Sequence, residues 1–577
     1  MDNNSPKKEN KKRININKSD IIVYAVIGAL SVLAFISIYG VKVINPGYVD
    51  WLLSGGDISQ HYLGWVAYRF GAWKFPIGFF DTLSYPNNAS IIFTDSIPVV
   101  AFFFKVLSPI LPKTFQYFGL WGVLCFILQG ILSARIIKNF TKNKAAIIIL
   151  GVIFAFTPVM IRRMFAHTAL AGQWLLFIPL EILFAPEKYK DNKKIYILIA
   201  LTGLLSGSVH MYYLLMNGMI LVGICLYDLL ANKRIVRSII LLAEFLLTGA
   251  GTTALFGGFG SNMKAQIWGL GYFSFNLNSF FNPMGWSRIF KDLKMYSPGQ
   301  AEGFAFIGAG FILLLAFAAV MFFISGKAFK TIKKYRFHII AIAFVCLCTL
   351  IVSLSPTVTI GERVLLDLHL PAKIFDLWSV FRSSGRLCWN VVYIIMFLAG
   401  IVAVKSTKKQ YLLIAALVVM SALQIFDMSK VYKGKFKEFN TKKTYVSGLK
   451  EDIWNAIGDN DEIKYVVYGY ELPDTDDRTF LFDLTDWGLN NGKTLNNYYF
   501  ARSIEAEASA VRNSTLASPD EEHIFIFDKH TLPESGEYNL HYYETKGCVI
   551  GYVNVISGFE EADISELKSI YEIENAE

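Results

Sequence analysis

Charged residues are scarce in this sequence, where they make up 18% of 577 residues while 54% are hydrophobic. The mean hydropathy of +0.41 excludes a typical soluble globular domain. Apolar runs of about 18 or more residues without charge, long enough to cross the hydrocarbon of a bilayer, recur from Ile21 to Asp427 and then stop. The sequence therefore predicts an α-helical, multi-pass protein of the cell membrane with a polar C-terminal region.

Cysteine is also rare, with six residues in the whole chain. Cys548 lies alone in the C-terminal region, and Cys346 and Cys348, two positions apart, point to different faces of a helix. The cysteines that fall in predicted membrane spans are Cys125, Cys225, Cys346, Cys348 and Cys388. This distribution excludes a disulfide framework and a cysteine-based zinc site.

The N-terminal segment lacks the small-residue cleavage site of a secretory signal. Its polar, basic residues are followed by an apolar run that leads directly into VKVINPGYVD, so we predict a retained signal anchor. The net charge of +9 does not indicate a nucleic-acid partner, because the basic residues lie in short loops between apolar segments rather than on one folded face. The charge is instead a topology signal.

The apolar runs predict about eleven membrane-spanning helices. Their ranges are 21–43, 115–135, 145–160, 168–185, 195–210, 212–231, 238–257, 303–325, 337–355, 386–404 and 410–427. Residues 96–112 are also apolar, but they are short, contain Lys105 and are closed by Pro109 and Pro112. If this segment crossed the membrane, every later basic loop would face away from the basic N-terminus. We therefore predict an interfacial helix on the outer surface, from which Lys105 reaches the headgroups.

This topology divides the chain into three parts. A basic tail, residues 1–20, is predicted to be cytoplasmic, and residues 21–428 form the transmembrane domain. The polar chemistry is concentrated in three outer loops, 44–114, 258–302 and 356–385. Residues 429–577 alternate short apolar strands such as IKYVVYGY with helical stretches such as SIEAEASAVRN, which indicates an extracytoplasmic α/β domain.

The first outer loop carries the acidic residues Asp57, Asp81 and Asp95 together with His61. Asp57 follows two glycines and opens a stretch with apolar residues at helical spacing. It is either a general base at the membrane surface or only the N-cap of an interfacial amphipathic helix. His61, four residues later, shares its helix face. Asp95 lies in TDSIP, a sequence that is also typical of a helix cap followed by proline.

The order GGDISQHYLGWVAYRF, TDSIP, FKVLSPILP and GLW, followed by a basic loop, resembles the GT-C class of membrane glycosyltransferases. Two later segments, FNPMGWSRIFKDLKMYSPGQAEGFAFIGAG and FRSSGRLCWNVVYIIMFLAG, narrow the resemblance to a bacterial branch related to the YfhO-like family. The resemblance covers most of residues 20–430 by architecture and is specific in these three loop blocks. It implies a GT-C-like transmembrane fold.

The resemblance also implies an activity. Enzymes of this class move a sugar from a polyprenyl-phosphate carrier to an acceptor outside the cytoplasm, here a glycan, lipid or polymer of the cell envelope. Asp57 matches the acidic residue expected to deprotonate the acceptor, and Asp95 matches a second acidic position of the class. The expected partners are the lipid-linked donor, the acceptor and membrane lipids, with no nucleic acid.

Transfer of this kind also requires cationic groups around the departing phosphate. Arg382 and Arg386, at i, i+4 before a span, and Lys373 upstream are candidates, since a guanidinium can bond two phosphate oxygens together. Alternatively, these arginines only reach lipid headgroups. Arg162 and Arg163 are predicted to lie outside, against the positive-inside rule, and an anionic ligand would explain that exception.

Polar residues at the outer ends of spans are candidates for substrate binding, in addition to His61: His167, His210, Gln300 and Glu302. Each histidine either holds a sugar hydroxyl or a lipid phosphate or makes only a structural hydrogen bond. Glu302 alternatively complements the N-terminus of the helix predicted from Gly303. Two or three converging carboxylates would suit a divalent metal, but linear sequence leaves the metal open and indicates no other cofactor.

Two other functions stay open. A transporter or lipid flippase would need charged residues in the middle of its spans, and the predicted spans contain few, with Glu181 and Glu244 the main examples. A non-catalytic membrane scaffold would display the C-terminal domain, in which no catalytic motif is evident, to a partner protein.

Overall fold

The computed structural model describes residues 18–260, 268–326, 328–469, 479–502, 504–528 and 532–574. A bundle of α-helices occupies the chain up to Asn440, and a unit with a mixed β-sheet follows it. The α-helices of the bundle are Lys18–Tyr39, Gly56–Phe70, Pro98–Val106, Phe118–Lys138, Lys144–Phe154, Pro158–Arg163, Phe177–Phe184, Lys194–Val209, Tyr212–Tyr227, Ile235–Leu255, Ala309–Ile324, Ala328–Lys334, Arg336–Leu354, Ala372–Ser379, Trp389–Ser406 and Gln410–Asn440.

Eight helical segments of the described residues are long and apolar enough to cross a membrane. They are Lys18–Tyr39, Phe118–Lys138, Lys144–Arg163, Tyr212–Asn232, Ile235–Leu255, Arg336–Leu354, Ser384–Ser406 and Gln410–Asn440. Three shorter apolar helices, Gln173–Phe184, Lys194–Val209 and Ala309–Ile324, coincide with the three other predicted spans. The predicted multi-pass helical architecture is confirmed, although a helix of 16 residues covers only about 24 Å.

The predicted span 168–185 is less regular than its hydropathy suggests. It begins with two 3₁₀ turns, Thr168–Ala171 and Gln173–Leu176, and becomes α-helical only over Phe177–Phe184. Gly172 separates the two turns, and Pro179 has no N–H to donate to an earlier carbonyl, so both residues weaken a continuous α-helix here.

The last helix of the bundle, Gln410–Asn440, extends well beyond the predicted end at residue 427. Its continuation keeps packing against the bundle, because the ring of Phe439 contacts that of Tyr39 and the Tyr432 hydroxyl donates to the Phe156 carbonyl at 3.1 Å. The helix therefore crosses the predicted domain boundary at 428 and joins the two units.

Residues 96–112 form only the short helix Pro98–Val106 and the 3₁₀ turn Ser108–Ile110, too little to cross a membrane. This agrees with the predicted surface helix. Lys105, however, does not reach outward: its amine is buried, donates to the carbonyls of Gly71 at 3.1 Å and Ala72 at 3.3 Å, and lies over two aromatic rings. The expectation that Lys105 extends to the headgroups was wrong, because these carbonyls satisfy the amine inside the loop.

The C-terminal unit is an α/β domain, as predicted. Its five-stranded sheet has the order Thr494–Leu495, Tyr465–Tyr468, His523–Phe527, Cys548–Tyr552 and His541–Thr545. The first three strands are parallel and the last two pairings antiparallel. The helices of this unit are Asp452–Asp459, Thr479–Asn490, Glu505–Ala517 and Ile564–Glu574. Two small hairpins, Phe79–Phe80 with Ala89–Ser90 and Thr357–Ile360 with Arg363–Asp367, lie in the loops of the bundle.

The C-terminal unit packs on the first long loop, at one end of the bundle. The ring of Tyr85 stacks on that of Tyr465 with centroids 3.9 Å apart, and the Leu495 N–H donates to the Thr82 carbonyl at 2.9 Å. The opposite end carries the basic loops, where Lys138 forms an ion pair with the carboxylate of Asp20 at 2.5 Å. The fold thus separates the basic loops from the loops in which the polar chemistry was predicted.

Candidate functional site

A cavity of ≈ 200 Å³ lies where the first loop, the ends of several helices and the C-terminal unit meet. Its charged and histidine side chains are Asp57, His61, Asp95, His167, His210, Arg382, Arg386 and Arg502. Seven of these eight were singled out from the sequence, although they come from four separate parts of the chain. Apolar and aromatic residues complete the wall, among them Val209, Phe381 and Tyr499.

Asp57 lies in the first turn of helix Gly56–Phe70 and faces the cavity. Gly55 and Gly56 precede it with φ of 92° and 69°, values that glycine adopts without strain. The N-cap is Gly55, so the carboxylate does not cap the helix as the alternative interpretation held. Oδ2 of Asp57 lies 3.2 Å from Nδ1 of His167, whose ring also approaches the carbonyl of Ala166 at 2.6 Å.

The electrostatics of this pair keep Asp57 ionised. Burial raises the pKa of the Asp57 carboxyl, but the hydrogen bond and charge of His167, together with the charge of His61, outweigh burial and lower the pKa below its ordinary value. The side chain is 39% exposed, so a ligand in the cavity can reach it. Asp57 is therefore an accessible carboxylate that can accept a proton.

The second carboxylate of the cavity, Asp95, lies between two histidines. Its Oδ2 is 3.2 Å from Nε2 of His61, and its Oδ1 is 3.8 Å from Nε2 of His210. His61 is almost fully buried and also contacts the Thr168 hydroxyl through Nδ1 at 3.1 Å. Oδ1 of Asp95 is buried and has no hydrogen-bond partner among the described residues. The expected cap role is absent, since Ile97 is the N-cap of the helix that begins at Pro98.

Protonation states follow from this arrangement. Burial raises the pKa of Asp95, but His61, with smaller contributions from His210 and His167, outweighs burial and lowers it to about 2. Burial lowers the pKa of His210, and the nearby charge of Asp95 opposes this lowering only in part, so that the pKa is about 4. Near neutral pH the cavity therefore holds an anionic Asp95 next to a neutral His210.

Glu302 bridges two arginines behind the cavity wall. Its Oε1 accepts from Nη1 of Arg163 at 2.9 Å, its Oε2 accepts from Nε of Arg386, and its main-chain carbonyl accepts from Nη2 of Arg163 at 3.0 Å. Burial raises the pKa of Glu302, but the charges of Arg386 and Arg163 outweigh it and hold the pKa well below its ordinary value. The helix after Glu302 begins only at Ala309, so the carboxylate pairs with arginines and does not complement a helix N-terminus.

The bridge also accounts for the position of Arg163, which the sequence places against the positive-inside rule. Its anionic partner is a carboxylate of the same chain. Arg386 lines the cavity, lies over the ring of Tyr212 and forms an ion pair with Glu302. Arg382, four residues before it in sequence, also lines the cavity.

Besides Arg163 and Glu302, three predicted site residues are not among those that line the cavity. Arg162 lies over the rings of Trp286 and Phe304, 5.9 and 4.9 Å from their centroids. Lys373 is exposed on helix Ala372–Ser379. Gln300 is fully buried, and its amide bonds the side chains of neighbouring loop residues.

Sequence reasoning missed Arg502 and Tyr499, which the C-terminal unit contributes to the cavity. The side chain of Gln60 donates to the Tyr499 carbonyl at 2.5 Å, and these two residues are 439 positions apart. No local pattern indicates a contact of that range. Among the described residues, no group of three or more His, Cys, Asp or Glu side chains is placed to hold a metal ion.

The fold and the cavity define a multi-pass membrane protein with a polar site at one end of its helix bundle. The chain belongs to the family described as domain of unknown function (DUF6311), whose model matches residues 28–429. The match covers the helix bundle up to the last predicted span. The narrower resemblance to the YfhO-like branch stays a prediction.

A comparison with curated proteins found no match. Among solved structures, the chain is similar to the archaeal oligosaccharyltransferase AglB from Archaeoglobus fulgidus in complex with an inhibitory peptide and a dolichol-phosphate. The identity is 11%, the TM-score 0.44, and the match covers 95% of this chain and 77% of that chain. The chain is also similar to the Archaeoglobus fulgidus oligosaccharyltransferase tethered with an acceptor peptide, at 12% identity and a TM-score of 0.43, and this match covers 94% of this chain and 76% of that chain. We therefore base the proposed function on the side chains of the site.

Proposed function

We propose that this chain is a membrane glycosyltransferase that moves a sugar from a polyprenyl-phosphate carrier to an acceptor of the cell envelope, on the extracytoplasmic side. One observation carries the proposal: the same cavity contains an accessible carboxylate, Asp57, and the arginines Arg382 and Arg386, at the end of an apolar helix bundle. Sugar transfer needs both a base for the acceptor and cations for the departing phosphate.

In the proposed reaction Asp57 accepts the proton of the acceptor hydroxyl. The hydroxyl oxygen forms a bond to the anomeric carbon of the sugar, and the bond from that carbon to the carrier phosphate breaks. The electron pair of that bond leaves with the phosphate. His167 holds Asp57 in place through the 3.2 Å contact and keeps it ionised before the acceptor binds.

The arginines act on the leaving group. As the bond breaks, negative charge grows on the phosphate, and guanidinium groups fixed in a partly buried cavity stabilise that charge without having to reorganise. Glu302 holds Arg386 in position through its carboxylate. Because Arg163 pairs with the same carboxylate, the three side chains together carry a net positive charge.

The position of the cavity suits a lipid carrier. Its wall includes Val209, Val380 and Phe381 beside the polar groups, and it lies at the ends of helical segments that are long enough to cross a bilayer. A polyprenyl tail can stay in the membrane while its phosphate reaches the arginines. Asp95 and its histidines would then face the sugar, with Oδ1 of Asp95 available for a hydroxyl.

The experiment that tests the proposal compares Asp57→Asn with Asp81→Asn in cells that lack the protein. Asp81 belongs to the same loop but pairs with Lys74 at 2.5 Å and does not line the cavity. Lipid-linked sugars and surface glycans are measured after complementation. We expect the parent and Asp81→Asn to restore a missing glycan, and Asp57→Asn to lose at least about 100-fold in transfer.

Two results would contradict the proposal in different ways. Full restoration by Asp57→Asn would remove Asp57 from the role of base. No change in any glycan or lipid-linked sugar on deletion would reject the transferase itself and favour transport or a scaffold.

A further inference from the structure

A short segment of the C-terminal unit, residues 498–502, lies against the first loop beside the cavity. Gln60, between the two polar residues Asp57 and His61, donates to the main chain of this segment at Tyr499. The N–H of Ala501 donates to the carbonyl of Phe93 at 2.8 Å. Main-chain bonds on two sides fix the segment relative to the cavity, so the side chains that it projects have a defined position.

Arg502 is the charged residue of this segment, and its guanidinium lies 5.4 Å from the ring centroid of Phe93. Burial lowers the pKa of Arg502, and no carboxylate among the described residues forms an ion pair with it. Arg386, which lines the same cavity, differs because it already forms an ion pair with Glu302. A half-buried arginine without a counter-charge is unfavourable unless an anion joins it.

We propose that Arg502 binds the carrier phosphate together with Arg382, so that the C-terminal unit completes the donor site. This inference rests on the proposed function. Arg382 precedes the span Ser384–Ser406, and Arg502 comes from the unit that packs on the first long loop. A phosphate between them meets one guanidinium from each unit, and each guanidinium can bond two oxygens.

The arrangement assigns a task to a domain in which the sequence shows no catalytic motif. Donor binding would join the two units through a shared anion, in addition to the contacts of residues 498–502 with the loop. A polyprenyl phosphate carries the anion that Arg502 would bind and a polyprenol does not, so the carrier phosphate would bind more strongly than the corresponding alcohol.

The test measures binding of a polyprenyl phosphate and of the matching polyprenol to the full chain in lipid nanodiscs. The variants are Arg502→Gln, which keeps a long polar side chain without charge, and Arg502→Lys, which keeps the charge. Arg512→Gln is the matched control, because Arg512 belongs to the same unit and lies over a phenylalanine ring, Phe527, at 5.5 Å without lining the cavity.

We expect the parent to prefer the phosphate over the alcohol, and Arg502→Gln to weaken phosphate binding by about 10-fold or more while binding of the alcohol stays unchanged. Arg502→Lys should recover part of the loss, and Arg512→Gln should bind like the parent. Equal phosphate binding by the parent and Arg502→Gln would overturn the inference. So would an equal loss of phosphate and alcohol binding in Arg502→Gln, since the effect would then not concern the anion.

The two proposals fail separately. If deletion of the protein changes a glycan but Arg502→Gln binds the phosphate normally, only the role of Arg502 is wrong. If no lipid-linked sugar or glycan changes on deletion, the transferase proposal is wrong whatever the binding experiment shows, and the inference is rejected with it.

Discussion

The bridge from Arg163 through Glu302 to Arg386 allows a prediction of stability that does not depend on knowing the substrate. The side chain of Glu302 is 20% exposed, and those of Arg163 and Arg386 are 5% and 11% exposed, so water screens these charges poorly. In Glu302→Gln both arginines keep their charge and lose their counter-ion. Removing one partner of a buried ion pair costs about 3–5 kcal/mol, and we expect a loss in that range.

The control is Glu362→Gln. Glu362 pairs with Lys294 at 3.1 Å, but the two side chains are 59% and 79% exposed. An exposed pair contributes about 0–1 kcal/mol, so this variant should unfold like the parent. The free energy of unfolding is measured in mixed micelles by adding a denaturing detergent and following the helical signal by circular dichroism.

A third variant separates charge from packing. If uncompensated arginine charge causes the loss, Glu302→Gln combined with Arg163→Met and Arg386→Met should recover much of the stability, because methionine keeps the apolar stem and removes the charge. Equal stability of Glu302→Gln and Glu362→Gln would refute the reasoning. A triple variant as unstable as Glu302→Gln would show that the bridge contributes through shape and not through charge.

Two further predictions concern other positions. The pKa of Asp95 is lowered from 3.8 to about 2 on folding, so its contact with His61 stabilises the fold above about pH 4, and about 2 kcal/mol is lost as pH falls towards 2. Asp95→Asn, whose residue tolerates the local φ of 54°, should show a shallower acid dependence of unfolding, and an unchanged slope would contradict this. Gly119→Ala should destabilise the bundle by at least about 1 kcal/mol, because its Cβ would lie 1.8 Å from the Val43 carbonyl oxygen. Gly251→Ala, with no atom within 4 Å of the new Cβ, should be neutral or stabilising in the same detergent unfolding assay, and equal losses in the two variants would refute the contact.

The membrane architecture could be predicted because hydrophobicity is a local property. A run of about 18 apolar residues is informative wherever it occurs, and each predicted span coincides with an apolar helix. In the C-terminal unit, the predicted strand segment IKYVVYGY contains the strand Tyr465–Tyr468, and the predicted helical segment SIEAEASAVRN overlaps the helix Glu505–Ala517. Helix ends were harder to place, as the extension of Gln410–Asn440 shows, because packing against the bundle and not composition keeps that helix intact.

The candidate site was predicted only in part. Asp57, Asp95, Arg382 and Arg386 could be found because polar residues at the ends of apolar runs stand out in sequence. Which groups pair could not be found in this way. The partner of Asp57 is His167, not His61 on its own helix, because the loop that follows Arg163 turns back towards the cavity.

Sequence alone thus determined the class of molecule, its spans, and the loops in which chemistry is concentrated. Tertiary structure alone decided that Glu302 forms ion pairs with both Arg163 and Arg386. It also decided that Arg502 of the C-terminal unit lines the cavity. The physical reason is that hydrophobicity is a property of each residue by itself and can be read along the sequence. Charge pairing instead depends on distances between atoms that only the folded chain brings together.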